Sequence, residues 1–309
     1  MTASKPPYDE SHARPAIPGP LPGPLPGAHL ATTAQLMDRI TTELGSRLSL
    51  VSLDGTRRKA PPPTPPALVL VARGSRDPRD RGTVRTLAER VRELRPRLSV
   101  HLGHLERNEP SLPGTLAGLG TRRAVLVPLL LTRGRHVTHD IPEAVAAAPA
   151  DTVTAPPLGP HPLLVEALYA RLVEAGWPTT LSETRRRASA VVLAAAGPRD
   201  PDSGADTRGT ARLLAERLGV PVVPAYASAA TPTVPEAVRA LTARGRHRIA
   251  VASCFAAPGR LAAACAAAAP WIAAEPLGAH PALARLVVHR YDQARATWER
   301  SAAATPVSA

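Results

Sequence analysis

From Ala67 onward the chain alternates between two hydrophobic regimes. Ala67-Leu68-Val69-Leu70-Val71-Ala72 is apolar throughout and is closed by Arg73-Gly74-Ser75. A short, uninterrupted apolar run of this kind predicts a strand buried on both faces. Val84, Leu87, Val91 and Leu94 then recur at helical spacing and predict a helix over 83–94. Residues 98–105 alternate as a strand, 110–119 read as a helix, and 124–131 form a second fully apolar strand. A short helix over 141–148, with Pro142 in its first turn, a strand over 153–157 and a longer helix over 162–175 complete the series. Strands alternating with helices predict an α/β fold with a mainly parallel sheet covered by helices on both faces.

The series then repeats. Arg73-Gly74-Ser75-Arg76-Asp77-Pro78 returns as Ala196-Gly197-Pro198-Arg199-Asp200-Pro201, and Pro157-Leu158-Gly159-Pro160-His161-Pro162 as Pro276-Leu277-Gly278-Ala279-His280-Pro281. Between these, Gly134-Arg135 matches Gly259-Arg260. Three landmarks in one order predict two copies of a single α/β unit. The expected lobes are 66–180 and 188–296, each with a four-stranded sheet. Residues 1–65 differ. Pro6 to Pro26 holds eight prolines, Leu36, Ile40, Leu44 and Leu48 follow at helical spacing, and a proline spacer closes the segment. This region reads as a disordered tail carrying one short amphipathic helix.

Composition narrows the function. The net charge is +13, so the surface attracts anions. Only 3% of residues are aromatic, and no basic run is interleaved with them, which argues against nucleic acid as a partner. The longest strongly apolar run falls far short of the roughly 18 residues that cross a membrane. With no signal-peptide pattern, the expected location is the cytoplasm. Two cysteines, Cys254 and Cys265, exclude a disulfide framework, and Cys254 reads as a small buried hydrophobe.

Chemistry is expected in the loops after the strands. The first lobe offers Arg73, Ser75, Arg76 and Asp77, then His101, His104 and Glu106, then His136, His139 and Asp140. Strand alternation puts His104 and Glu106 on one face and His101 on the other. Imidazole and carboxylate converging from neighbouring strand ends suit a borderline divalent ion. Asp140, with Pro142 and Glu143 after it, reads as a helix N-cap with a capping box, and His161 and His280 read as structural turns. There is no Gly-x-Ser-x-Gly, Gly-x-Gly-x-x-Gly or phosphate-loop lysine, which argues against hydrolase, dinucleotide and NTP chemistry. The second lobe is bare by comparison: Ala196 stands for Arg73, with Ser228 near the place of Glu106 and Leu261 near that of His136.

Arg73-Gly74-Ser75-Arg76-Asp77-Pro78, Glu106 with Glu109-Pro110-Ser111-Leu112-Pro113, Gly134-Arg135-His136-Val137-x-x-Asp140-Ile141-Pro142 and the Pro-Leu-Gly-x-His-Pro segment together resemble the sirohydrochlorin chelatases. These are the class II metal chelatases of siroheme and cobalamin synthesis. The resemblance covers roughly residues 66–295 as two fused units. It implies a lyase-type metal chelatase that takes Fe²⁺ or Co²⁺ as substrate, needs no organic cofactor and binds a polycarboxylate tetrapyrrole. It places catalysis and metal handling on His136 and Glu106, and strand alternation adds His104, on the face of Glu106, to the metal-handling group. Arg73 occupies the position of the family's other histidine, and a guanidinium can neither ligate a cation nor accept a proton near neutral pH. Arg73, Ser75 and Arg76 are therefore assigned to substrate carboxylates. Two readings stay open: a working chelatase, or a degenerate member that holds a tetrapyrrole or metal without inserting one. Fusion of the lobes implies a monomer.

Overall fold

The computed structural model describes residues 64–304, apart from Arg199 and Ala229; the expected tail and its amphipathic helix lie outside the described residues. In the first lobe, strand β1 (Ala67–Ala72) leads to helix α1 (Pro78–Leu94), β2 (Val100–His104), α2 (Leu112–Leu119), β3 (Ala124–Pro128), a π-turn (His136–Asp140) running into α3 (Ile141–Ala146), β4 (Thr152–Thr154) and α4 (Pro162–Glu174). A short α5 (Glu183–Ala188) links to the second lobe: β5 (Ser189–Ala195), α6 (Pro201–Leu218), β6 (Val222–Tyr226), α7 (Val234–Ala243), β7 (Arg248–Ser253), α8 (Arg260–Ala267), β8 (Ile272–Ala273) and α9 (Pro281–Ala304). The two sheets are parallel with the same topology, β2-β1-β3-β4 and β6-β5-β7-β8. The duplication read from the sequence is a duplication of architecture.

Helix α1 starts five residues before the apolar periodicity does. Asp77 caps it by accepting the Arg79 N–H at 2.9 Å, and Pro78 occupies its first turn. That first turn is polar, so hydrophobic spacing cannot reveal it.

Each sheet has a private face and a shared one. Val69 and Val71 pack with Leu112, Leu116 and Ile141 beneath α2 and α3, while Val192 and Ala194 pack with Val234 and Leu241. The opposite faces, with Leu68 and Leu70 in one lobe and Val191 and Leu193 in the other, belong to a single continuous core. The last helix of each unit crosses to the other lobe. Helix α9 packs on α1, β3 and β4, and α4 packs on α6 and β7. Matching arginines tie the exchange. Arg290 Nη2 donates to the Leu158 carbonyl (3.4 Å), and Arg171 donates to the Leu277 carbonyl (3.0 and 3.2 Å). Tyr291, buried on α9, donates its hydroxyl to the Pro66 carbonyl at 2.7 Å. Each sheet is therefore covered in part by the last helix of the other chain segment.

Candidate functional site

At the carboxyl ends of β1, β2 and β3 three loops converge. The Leu105 N–H donates to the Ala72 carbonyl (3.0 Å) and the Glu106 N–H to the Arg73 carbonyl (2.8 Å), so the β1–β2 ladder continues past both strands. Gly74 makes this approach possible: at φ +95°, an added Cβ would fall 1.8 Å from the Glu106 carbonyl oxygen. Arg107, at φ 61°, closes a γ-turn in which the Asn108 N–H donates to the Glu106 carbonyl at 2.7 Å. The Asn108 side chain in turn accepts the Ser75 N–H at 2.5 Å. Glu106 thus sits in a strained, over-determined turn, the setting in which functional side chains are often held.

His136 arrives from the third loop on the π-turn, a helical irregularity common at functional sites. Its Nδ1 lies 2.6 Å from Asp140 Oδ2. Because a carboxylate only accepts, Nδ1 donates to it, and Nε2 is the ring nitrogen turned outward from that bond. Nε2 faces Glu106 Oε1 at 3.7 Å, too far for a hydrogen bond. In its neutral form an imidazole with Nδ1 as donor presents a lone pair at Nε2, and that atom and Oε1 would then leave a place for positive charge between them. Both side chains are about a third exposed, at 27% and 37%, so the pair opens to solvent rather than lying in the core.

Asp140 is not the N-cap expected from the sequence. Its backbone is already helical (φ −68°, ψ −38°) and its side chain makes no capping bond. The helical path begins four residues earlier through the π-turn, so Asp140 lies within it and its carboxylate turns back one turn onto His136. A His-x-x-x-Asp spacing places both residues on one helical face, and that was the available signal.

The other candidates separate. His104 is buried, with Nδ1 3.1 Å from the Pro110 carbonyl, which ties it to the loop before α2. Among the described residues no group of three or more His, Cys, Asp or Glu gathers as a metal-ligand set, so His104 does not join His136 and Glu106 in one. His101 lies 2.8 Å from Ser99 Oγ, and burial, then Arg122 and Arg92, lowers its pKa. His139 is exposed beside Thr138 (2.7 Å). The Ser75 hydroxyl accepts the Asp77 N–H at 3.1 Å and so serves its own turn. Arg73 and Arg76 are exposed, and among the described residues neither guanidinium makes an ion pair. Arg107 (3.6 Å from Glu106) and Arg135 (3.5 Å from Asp140) add two more cations beside the pair.

In the second lobe the same backbone stands without the chemistry. The Ser228 N–H donates to the Ala196 carbonyl (3.1 Å), and a Cβ on Gly197 would meet the Ser228 carbonyl oxygen at 1.9 Å. Ser228 is thus the counterpart of Glu106, as the repeat implied. His161 and His280 are twin helix caps, each Nδ1 accepting a backbone N–H at 3.1 Å. Cys254 is buried and its thiol is pushed up to about 12 by desolvation, which makes it inert.

The protein-family model CbiX matches residues 67–175 and again 190–294. A sirohydrochlorin cobaltochelatase of Methanococcus aeolicus is 36% identical over 80 residues, covering 25% of this chain and 56% of that protein. A sirohydrochlorin ferrochelatase of Bacillus subtilis is 32% identical over 144 residues, 44% of this chain and 52% of that protein. The chain therefore spans little more than half the length of these curated relatives. The solved structure of SirB from Bacillus subtilis with Fe³⁺ aligns over 75% of this chain and 96% of its own at 23% identity, with a TM-score of 0.63, a likeness of fold. With its family model met once in each lobe, the chain belongs to the CbiX family as a protein of two family units.

Proposed function

We propose that this protein is a sirohydrochlorin metallochelatase, inserting Fe²⁺ or Co²⁺ into the macrocycle during siroheme or cobalamin synthesis. The observation that carries the reading is the His136–Glu106 pair, with Glu106 Oε1 3.7 Å from Nε2 and Asp140 holding Nδ1 at 2.6 Å, which turns Nε2 toward Glu106. With metal–ligand bonds of about 2.1 Å, one ion reaches both atoms at an angle of roughly 120°. Two protein ligands leave the remaining positions to water and then to the macrocycle nitrogens, which suits an ion handed on rather than kept. Insertion replaces two pyrrole N–H bonds with metal–nitrogen bonds and releases two protons. Imidazole and carboxylate at one point can accept them in turn. The exposed guanidiniums of Arg73 and Arg76 match the carboxylates of the macrocycle's rim, and the net charge of +13 draws in a polyanion. Relatives named for cobalt and for iron both match, so either ion is the metal substrate. The protein acts as a cytoplasmic monomer, a reading supported by the two lobes completing each other's sheets. Among the described residues no helix is long and apolar enough to cross a membrane.

One observation favours a second reading, a tetrapyrrole holder: Arg73 stands in the loop where a ligand or base would complete the pair. Anaerobic absorbance spectroscopy with sirohydrochlorin and Co²⁺ separates the two. The chelatase reading expects metallation faster than the enzyme-free control and a loss of about 10²-fold or more in His136→Ala. A binding shift without acceleration, together with a large gain in Arg73→His, would establish the holder.

A further inference from the structure

The loop that delivers His136 is held from the other lobe. Asp206, on the second turn of α6, is 4% exposed and spends its whole carboxylate on Arg133. Oδ2 accepts the Arg133 backbone N–H at 2.7 Å, Oδ1 accepts Nη2 at 2.8 Å, and Nε lies 3.1 and 3.2 Å from the two oxygens. Beside this clasp, Thr132 Oγ1 meets Ser203 Oγ at 3.1 Å, and Asp202 Oδ1 lies 3.5 Å from Arg133 Nη1. The chain passes from Arg133 directly into Gly134, whose carbonyl accepts the Val137 and Thr138 N–H groups at 2.8 and 3.0 Å. Those are the first hydrogen bonds of the turn that carries His136.

The duplication supplies an internal control. By the repeat offsets, the counterpart of Asp206 is Thr83 and that of Arg133 is Pro258. Thr83 spends its hydroxyl on the Arg79 carbonyl, and proline has neither guanidinium nor backbone N–H. The clasp therefore runs one way only, from the lobe without chemistry to the lobe with it. A bidentate charged pair on a buried carboxylate fixes geometry as well as adding attraction.

We propose that Asp206 is a positioning residue: through Arg133 it sets the His136 loop against Glu106, and this is what the chemically bare lobe contributes to the site. The activity readout rests on the chelatase reading; the loop readout does not. Hydrogen exchange followed by mass spectrometry should show residues 130–140 exchanging about tenfold faster in Asp206→Asn, with β1 and β5 unchanged. In metallation the same variant should lose about ten- to a hundredfold in kcat while KM for sirohydrochlorin stays within about threefold, because docking of the macrocycle is untouched and alignment is lost. Thr132→Val, which removes only the hydroxyl contact, should move both readouts in the same direction by less, and it carries the comparison if Asp206→Asn does not fold. Exchange in the loop equal to wild type in the folded variants would overturn the proposal. So would faster exchange with an unchanged kcat. A wild-type protein that does not metallate would sink the chelatase reading alone, and loop exchange would still decide the clasp.

Discussion

Gly74 and Gly197 offer a paired perturbation in which the two substitutions should cost the same stability and differ in function. Each is at positive φ, +95° and +122°, and each would place an alanine Cβ 1.8 or 1.9 Å from a carbonyl oxygen, that of Glu106 in one lobe and of Ser228 in the other. Ordinary contact begins near 3.4 Å, so the opposing backbone must retreat by roughly 1.5 Å in either case. Forcing alanine to positive φ costs about 1–2 kcal/mol. With displacement of the β1–β2 or β5–β6 junction, each variant should lose about 2–4 kcal/mol. Urea unfolding checks this as matched shifts in midpoint. The functional outcomes diverge, because the atom displaced in Gly74→Ala is the carbonyl of Glu106 itself. A shift of that size separates Glu106 from His136, for which misplacement near 1 Å is worth about 10²-fold. Gly197→Ala moves Ser228, whose hydroxyl donates to the Ala196 carbonyl, and should metallate within about threefold of wild type when assayed well below its unfolding transition. Retained metallation in Gly74→Ala, or an equal loss in both, would refute the assignment of Glu106.

Asp140→Asn keeps the shape but removes the charge that fixes the His136 tautomer; metallation should fall about 10- to 100-fold with the thermal midpoint little moved. His161 is held neutral as a helix cap, its pKa lowered to about 4 by burial, then by Arg290 and His289. The unfolded chain, titrating near 6.5, binds more protons between those values, so stability should fall as pH drops from about 6.5 to 4. The full shift corresponds to about 3 kcal/mol, which part exposure reduces to about 1–2. The thermal midpoint measured from pH 7 to 4 should decline less steeply in His161→Asn, which caps without titrating. Tyr291→Phe leaves the Pro66 carbonyl without its 2.7 Å donor and should cost about 1–2 kcal/mol in urea unfolding with metallation intact.

The strands were legible because parallel strands buried on both faces leave continuous apolar runs, and the landmarks after them were legible because the duplication preserved them. The helix exchange was not. Leu164, Leu168 and Leu172 say that α4 is buried, but an apolar stripe does not name the sheet it meets. Even the tie that fixes the exchange was in view, since Arg171 and Arg290 share the 119-residue offset of the Pro-Leu-Gly segments. What was missing is the direction of the contact, which only docking of the lobes decides. At the site the error was local. Asp140 satisfied every rule for a cap except that the helix had already begun, and a π-turn carries no hydrophobic signature. Strand alternation puts His104 on the face of Glu106, but alternation fixes a face and not a partner, and the structure sets its Nδ1 against the Pro110 carbonyl.

The exchange also explains how one lobe could lose its chemistry without losing its fold. Leu283, Leu286, Val287 and Tyr291 of α9 are buried in the core that also holds Leu68 and Val127, so the second unit's last helix completes the first unit's sheet. Residues bearing that burden recur in both copies: Gly74 and Gly197 at the strand junctions, Arg171 and Arg290 at the crossings, His161 and His280 at the caps. The residues proposed for the chemistry do not, since Arg73 is matched by Ala196, Glu106 by Ser228 and His136 by Leu261. A side chain exposed at a loop end stabilises the fold by little, so its replacement leaves packing intact. A half-buried cap or crossing cannot drift in the same way, because each sits where the two lobes meet. One further position breaks the symmetry in the opposite sense. At Asp206 the bare lobe carries a buried carboxylate where its twin has Thr83, and burying a charge is unfavourable unless it is fully paired. Arg133 supplies that pairing, from the loop that presents His136.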